Sequence, residues 1–136
     1  MTAEPKSRNP KDLAATHKAT FHLIPVGFLI QIGQVLRNGA LKYGAMNWRS
    51  EKVRATVYYD ALQRHLQRWL SGEDIDRDSG RPHLAHVASN CAIIMDAREV
   101  GALIDDRPKG FDADRVEQLL EAIKQQNEEE DPSNGS

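Results

Sequence analysis

Apolar residues recur with the 3.6-residue period of an amphipathic helix in four separate segments of the chain. Prolines stand at the start of the first and third segments, an aspartate can cap the fourth, and glycines follow the second and third. No run alternates apolar and polar residues over a useful length, and no internal repeat is visible. The pattern predicts an all-α fold with four helices: Pro25 to Leu36, Ser50 or Lys52 to Ser71-Gly72, 83 to about Val100, and Asp112 to about Asn127.

The two ends of the chain lack this period. Residues 1–20 are rich in Lys, Pro, Ser, Asn and Thr, which predicts an extended N-terminal arm. Residues 127–136 are a run of acids followed by Pro-Ser-Asn-Gly-Ser, which predicts a disordered acidic tail. Residues 21–126 then form a single all-α domain. A chain of 136 residues has a large surface for its volume, so we expect an oligomer to stabilise it.

Charge and hydropathy exclude several classes of partner. The 18 basic and 20 acidic residues give a net charge of -2, which provides no field to hold a nucleic acid by counterion release. No stretch of about 18 apolar residues is present to span a membrane. Cys91 is the single cysteine and cannot form an internal disulfide, so we expect a cytoplasmic location.

The stretch between the second and third helices has the composition of a divalent-cation site. Four acidic residues, including Glu73 and Asp76, lie within residues 73–78, and the third helix then begins with His83 and His86. Carboxylate oxygens suit Mg²⁺ or Mn²⁺, whereas imidazole nitrogens shift the preference toward a transition metal. A solvated loop between two helices is the alternative interpretation.

Calcium-loop and zinc motifs do not fit this stretch. Asp74, Asp76 and Asp78 occupy positions 1, 3 and 5 of a calcium-binding loop. The sixth position is Ser79 where glycine is needed, and the twelfth is Ala85 where a bidentate glutamate is needed. There is no His-Glu-x-x-His motif and no cysteine pair. We therefore expect neither a calcium sensor nor a structural zinc site.

Helical spacing brings three polar residues of the third helix together. His83, His86 and Asn90 lie at i, i+3 and i+7 and share one face beside an apolar one. A polar stripe on such a helix must find partners inside the protein or hold a ligand. A buried hydrogen-bond network explains either histidine alone, but two histidines beside an acidic turn favour a ligand site.

The second helix carries Arg64 and His65 side by side. Near a metal, the two would bind phosphate oxygens, the arginine through its planar fork and the histidine through a single donor. A surface charge beside a core histidine explains the pair equally well.

A compact polar and aromatic cluster precedes that helix. Lys42, Tyr43, Asn47 and Trp48 combine a cation, two aromatic rings and an amide that can read a base edge, with a glycine that permits close backbone approach. Trp48 alone could be a core anchor. Together in one short loop, these residues suit a nucleoside phosphate better than packing.

Taken in chain order, these motifs resemble those of a known family. The series is Leu23-Ile-Pro25, Lys42-Tyr-Gly with Asn47-Trp48, Tyr59-Asp60-Ala61 with Arg64-His65, Gly72-Glu-Asp with Asp76 and Gly80, and His83-Leu-Ala-His86 with Asn90. It resembles the MazZ-type phage dATP/dGTP diphosphohydrolases, small MazG-like proteins of the all-α NTP pyrophosphatase class. The resemblance covers residues 22 to about 96, so the arm and the tail lie outside it.

The resemblance implies a fold and a reaction. The fold is a MazG-like four-helix core in a homo-oligomer, either a dimer or a tetramer. The reaction is the hydrolysis of a purine deoxynucleoside triphosphate, dGTP and/or dATP, to the monophosphate and pyrophosphate with the help of Mg²⁺ or Mn²⁺. In phages of this kind dGMP feeds the synthesis of a 2-aminoadenine nucleotide, and the enzyme acts in the host cytoplasm.

One motif of the wider class is missing. Ordinary MazG-like enzymes hold their metals with Glu-Glu-x-x-Glu on one helix and Glu-x-x-Asp on the next. This chain has His83-x-x-His86 at the place of the second motif, and Asp60, Arg64 and His65 where the first would supply carboxylates. We therefore expect the acidic turn at residues 73–78 to take over part of the metal binding.

These observations lead to a set of expected roles. Phosphoryl transfer depends on positioning and electrostatics more than on covalent chemistry, so cations and a metal are the groups it needs. The competing hypothesis is a non-catalytic phage protein that binds nucleotides, or a partner helix through the amphipathic fourth helix. For the enzyme we expect Glu73, Asp76 and Arg64 to be catalytic, Glu73, Asp76, His83 and His86 to bind metal, and Lys42, Tyr43, Asn47, Trp48, His65 and Asn90 to bind substrate.

Overall fold

The fold was analysed in a computed structural model that describes residues 9–110 and 112–134. The described residues are mostly helical, which confirms the all-α prediction. Beyond the four predicted helices, the described residues also form a pair of two-residue strands and three short helices. The elements are α1 Pro10–Ala15, α2 Val26–Tyr43, α3 Asn47–Ser50, β1 Val53–Arg54, α4 Ala55–Leu70, α5 His83–Glu99, β2 Leu103–Ile104, α6 Ala113–Glu130 and the short 3₁₀ helix η1 Pro132–Asn134.

The four predicted helices are present as α2, α4, α5 and α6, with differences at their ends. Helix α2 continues through the expected stop at Asn38-Gly39 and ends at Tyr43. The next residue, Gly44, has a φ of 94°, which only glycine readily adopts. Helix α4 begins at Ala55, later than expected, because the two residues before it form β1. Helix α5 begins directly after Pro82, as predicted.

The two ends are more helical than the composition indicated. Part of the predicted extended arm forms α1, whose first turn is capped by the Asn9 side chain and begins at Pro10. At the other end, α6 is capped by Asp112 as predicted but continues three residues beyond Asn127 to Glu130. The acidic tail is therefore helical in its first part, because glutamates are good helix formers. Residues 1–8, 135 and 136 lie outside the described residues, and the division into arm, domain and tail stays a prediction.

The small buried core lies where α5 meets the strand pair. Strands β1 and β2 run parallel, with Val53 paired to Leu103 and Arg54 to Ile104. Val53, Ala97 and Ala102 are buried there. Trp48, Tyr58 and Leu103 are the partly buried apolar side chains that pack around this core. The strand pair thus fixes the entry to α4 against the exit from α5.

Helix α5 is the central element, since it packs against α4 along its length and also against α2 and α3. Helix α6 packs chiefly against η1. Many large apolar side chains of α2 and α6 are exposed, including Leu29, Ile30, Leu120 and Ile123. None of the described helices combines the length and the apolar character needed to cross a bilayer.

Candidate metal and nucleotide site

The acidic turn folds back on itself and lies against the first turn of α5. The Asp76 N–H donates to the Arg81 carbonyl at 2.8 Å, and the Gly80 N–H donates to the Asp76 carbonyl at 2.8 Å. Gly80 has a φ of 70°, which closes this turn at little steric cost. The His83 N–H donates to the Asp74 carbonyl at 2.9 Å, so the turn also caps the start of α5. These bonds hold Glu73 and Asp76 beside the histidines of α5.

A group of three potential metal ligands forms where α4, α5 and this turn meet. One ligand atom from each of His65, Asp76 and His83 lies within 4.8 Å of the other two. The Nδ1 atoms of His65 and His83 are 2.9 Å apart, which is hydrogen-bond distance. His83 is the largest fully buried side chain in the part of the chain that the structure describes. The ligand set is therefore built on two packed helices and one hydrogen-bonded turn.

Glu73 orients His83. The Nε2 atom of His83 lies 2.9 Å from Oε1 of Glu73. When Nε2 carries the proton and donates it to this carboxylate, Nδ1 of a neutral His83 keeps a free lone pair on the side of His65. A carboxylate behind an imidazole is the usual arrangement around metal-bound histidines, because it fixes the tautomer and raises the basicity of the ligand.

His86 lies beside the cluster, and its ring stacks on that of His65. The two ring centroids are 4.3 Å apart and the planes differ by 4°. The Nε2 atom of His86 is 2.7 Å from the Ser79 hydroxyl and 3.4 Å from Oδ2 of Asp76. The Ser79 oxygen also accepts the Arg81 N–H at 3.2 Å, so the hydroxyl links the turn to His86.

The charges of these groups suit a cation. Burial lowers the pKa values of His65 and His86, so both imidazoles are neutral at pH 7. The hydrogen bond from His83 is the main cause that holds the Glu73 pKa below its usual value. Burial opposes ionisation of Asp76, but hydrogen bonds from Ser79 outweigh it and the Asp76 pKa is also lowered. Neutral imidazoles and ionised carboxylates are the protonation states that metal binding requires.

A cavity of about 470 Å³ opens beside this group of potential ligands and is lined by several cationic side chains. Arg64, Arg68, Arg77 and Lys42 line it together with the histidines and the acidic turn. Arg68 and Arg77 both pair with Glu73, at 3.4 and 3.3 Å. We refer to this space as the cation cavity. Its positive side chains suit an anionic ligand.

A second cavity, of about 520 Å³, continues from the first along α5. We refer to it as the aromatic cavity. The two cavities share four lining residues, Lys42, Asp78, Ser79 and His86. The aromatic cavity is also lined by three aromatic rings and three side-chain amides, namely Tyr43, Trp48, Tyr58, Asn38, Asn47 and Asn90. Stacking rings beside amides suit a nucleobase.

Asp96 fixes one wall of the aromatic cavity. Its Oδ2 atom accepts the Trp48 Nε1–H at 2.6 Å, and the Arg49 guanidinium forms a two-bond pair with both carboxylate oxygens at 2.7 and 2.8 Å. The arginine and the indole lower the Asp96 pKa to about 2. The carboxylate is therefore ionised at neutral pH and holds the Trp48 ring in one orientation.

The residues expected from sequence to form a site all line one of these two cavities. Arg64, His65, Glu73, Asp76 and His83 line the cation cavity, Tyr43, Asn47, Trp48 and Asn90 line the aromatic cavity, and Lys42 and His86 line both. Their chemical roles stay predictions. His65, Asp76 and His83 form the group of potential ligands with mutually close atoms, and Glu73 and His86 flank it; which of these residues bind metal stays a prediction.

Several contributors were not expected from the sequence. Arg77 follows Glu73 at a spacing of four residues, a signal that could have indicated their pairing. Ser79 follows Asp76 by three residues, and its N–H donates to the aspartate at 3.2 Å, as turn-forming aspartates often allow. Asp96 carried no local signal, because its partners lie almost fifty residues away.

Comparison with known proteins places the chain in a family. The family model described as "dATP/dGTP diphosphohydrolase, N-terminal" matches residues 8–107. A protein of Salmonella phage PMBT28 named dATP/dGTP diphosphohydrolase is 33% identical over 95 residues, which cover 70% of this chain and 30% of that relative. The chain thus spans about a third of the length of this curated relative. No solved structure matches the chain. The matched region contains both cavities and nearly the whole described fold except α6, and the chain belongs to the dATP/dGTP diphosphohydrolase, N-terminal family.

Proposed function

We propose that this chain hydrolyses purine deoxynucleoside triphosphates, dGTP and/or dATP, to the monophosphate and pyrophosphate. The observation that carries the proposal is the continuity of the two cavities. The cation cavity is lined by cationic side chains and potential metal ligands, and the aromatic cavity by aromatic rings and amides. Lys42 and His86 line both. A triphosphate in the first with its base in the second matches the chemistry of each lining. The names of the family and of the phage relative support the same substrate class.

The donor set fits a divalent metal. His65, Asp76 and His83 would hold it, with Glu73 behind His83 as the orienting carboxylate. Two imidazoles beside one carboxylate favour Mn²⁺ over Mg²⁺, because Mg²⁺ prefers an all-oxygen shell. When bound, such an ion neutralises phosphate charge and lowers the pKa of water.

The cationic side chains would position the triphosphate. Arg64 and Lys42 are not paired with Glu73 and can turn to phosphate oxygens, whereas Arg68 and Arg77 already share that carboxylate. Charge on the pyrophosphate leaving group grows during phosphoryl transfer, so fixed cations beside it lower the barrier. Arg64 therefore keeps a catalytic role, and Asp76 acts through the metal.

The nucleoside would occupy the aromatic cavity. Trp48, held by Asp96, supplies a ring for stacking, and Tyr43 lines the same space. Asn47 and Asn90 offer amides that can both donate and accept, so they suit a base edge. The Asn90 Nδ2 group donates to the His86 carbonyl at 3.0 Å, which leaves its amide oxygen as the available acceptor.

We further propose that the active form is a homo-oligomer, a dimer or a tetramer, in which α6 completes a MazG-like four-helix core. The chain exposes 11504 Å² of surface, against about 7,100 Å² for a compact monomer of this mass. Apolar residues of α6 remain half or more exposed within the described chain, with Leu120 at 57% and Ile123 at 50%. A second copy would cover them. Light scattering of the purified chain would give the oligomeric state.

The resemblance to MazZ-type phage proteins also implies a biological setting. In the host cytoplasm, release of dGMP would supply phage synthesis of a 2-aminoadenine nucleotide. The purified protein with dGTP, dATP and the ribonucleotides plus Mn²⁺ should release pyrophosphate from the purine deoxynucleotides. Nucleotide binding without release from any of them would instead support the non-catalytic binding protein.

A charge-only substitution separates catalysis from folding. Asp76→Asn keeps the shape of the side chain and an oxygen for the Ser79 N–H, but it removes the charge from the ligand cluster. We expect turnover to fall at least 100-fold with an unchanged helical circular dichroism spectrum. Asp74→Asn is the matched control, because Asp74 lies in the same turn, is exposed and lines neither cavity. Equal activity of the two variants would contradict the proposed metal cluster.

A further inference from the structure

The hydroxyl of Ser89 is a buried, unpaired polar group at the wall of the aromatic cavity. Ser89 is 2% exposed, lies on α5 and lines the cavity. Its Oγ atom has no hydrogen-bond partner, not even the carbonyl one turn earlier that helical serines often use. Buried hydroxyls are almost always paired, so this exception requires a reason.

The position of Ser89 along α5 indicates which part of a ligand it meets. Ser89 follows His83 by six residues, which is about 9 Å along a helix axis, and follows His86 by three. The potential metal ligands lie at the His83 end of α5, and Trp48 is hydrogen-bonded to Asp96 toward the other end. Ser89 thus lies between the expected places of the phosphates and of the base. The group between them in a nucleotide is the sugar.

We propose that the Ser89 hydroxyl hydrogen-bonds the sugar 3′-hydroxyl of the bound deoxynucleotide and is a substrate-binding residue. This inference rests on the proposed function for the placement of phosphates and base. A deoxyribose in a nucleotide offers one free hydroxyl, at the 3′ position, and a serine hydroxyl can both donate to it and accept from it. The bond would satisfy a group that the free protein leaves unpaired.

The substitution Ser89→Ala tests the proposal with little risk to folding. Alanine removes only the oxygen and is the better helix former, so the melting temperature of the ligand-free protein should stay equal or rise. Ser71→Ala is the control. It removes a hydroxyl that already donates to the Gln67 carbonyl at 2.7 Å and that lines neither the cation cavity nor the aromatic cavity.

Calorimetric binding of dGMP and dAMP, each compared with its 2′,3′-dideoxy form, gives the decisive readout. Ser89→Ala should weaken binding of the deoxy forms by about 2- to 12-fold, the range for one neutral hydrogen bond, and leave the dideoxy forms unchanged. Equal weakening of both forms, no weakening of either, or a lower melting temperature of the ligand-free variant would overturn the proposal. Binding without pyrophosphate release from the triphosphates would reject the hydrolysis but leave this comparison valid, whereas no binding by the wild-type chain would overturn both.

Discussion

Replacing Glu73 by glutamine weakens the hydrogen bond between its Oε1 atom and Nε2 of His83, a residue of the proposed metal site. Glutamine preserves length and shape, but its neutral oxygen is a weaker acceptor than the carboxylate that now lies 2.9 Å from His83 Nε2. His83 then becomes a less basic and less firmly oriented ligand. Loss of an orienting group behind a metal-bound histidine typically weakens metal affinity by about 10- to 100-fold, and we expect Glu73→Gln to fall in this range.

The assay is a titration with Mn²⁺ that follows the free ion by electron paramagnetic resonance. The control is Asp74→Asn, which makes the same charge change in the same turn and should bind Mn²⁺ like the wild type. Glu73 also pairs with Arg68 and Arg77, so a purely structural role is the competing explanation. That role predicts a lower melting temperature of the metal-free variant with unchanged Mn²⁺ affinity of the folded protein, and this result would refute our reasoning.

Three further predictions follow from other parts of the fold. Mn²⁺ affinity and the stability of the metal-free protein should both fall as the pH drops below about 6.5. Burial lowers the pKa values of His65 and His86, so the unfolded chain takes up protons at a higher pH than the folded chain does. Calorimetric titrations between pH 5 and 8 would show this fall, and a flat profile would contradict it. Asp96→Asn should release the Trp48 indole, shift its fluorescence emission to the red and weaken dGTP binding by up to about tenfold, while Mn²⁺ affinity stays constant. Val53→Ala removes about two buried methylene equivalents, or about 1.6 kcal/mol, and should lower the melting temperature by roughly 5 °C in a thermal scan; no shift would show that the strand pair contributes little to stability.

Sequence periodicity was sufficient for the features that depend on one helix. The shared face of His83, His86 and Asn90 follows from spacing along α5, and the start of that helix follows from Pro82. The acidic turn was recognisable from the four acidic residues within residues 73–78. These features are local, so no knowledge of how the helices pack was needed to predict them.

Features that join distant segments could not be predicted in this way. His65 joins the group of potential metal ligands because α4 and α5 pack side by side and bring its ring to His83, eighteen residues later. The late start of α4 has a similar cause, since Val53 pairs with Leu103 across fifty residues. Helix propensity alone gave no reason to exclude Val53 and Arg54 from α4. Their pairing with a distant strand decided the local structure.

Histidines in place of carboxylates would change the electrostatics of the proposed site. A ligand set of five carboxylates, as in the Glu-Glu-x-x-Glu and Glu-x-x-Asp motifs of ordinary MazG-like enzymes, neutralises its metals before substrate arrives. Here one ionised ligand, Asp76, stands beside two imidazoles, and Glu73 already shares its charge with two arginines. A divalent ion in this cluster would therefore keep excess positive charge, which Arg64 and Lys42 increase. The triphosphate itself becomes the main counterion, so metal and nucleotide should strengthen each other's binding by the same factor.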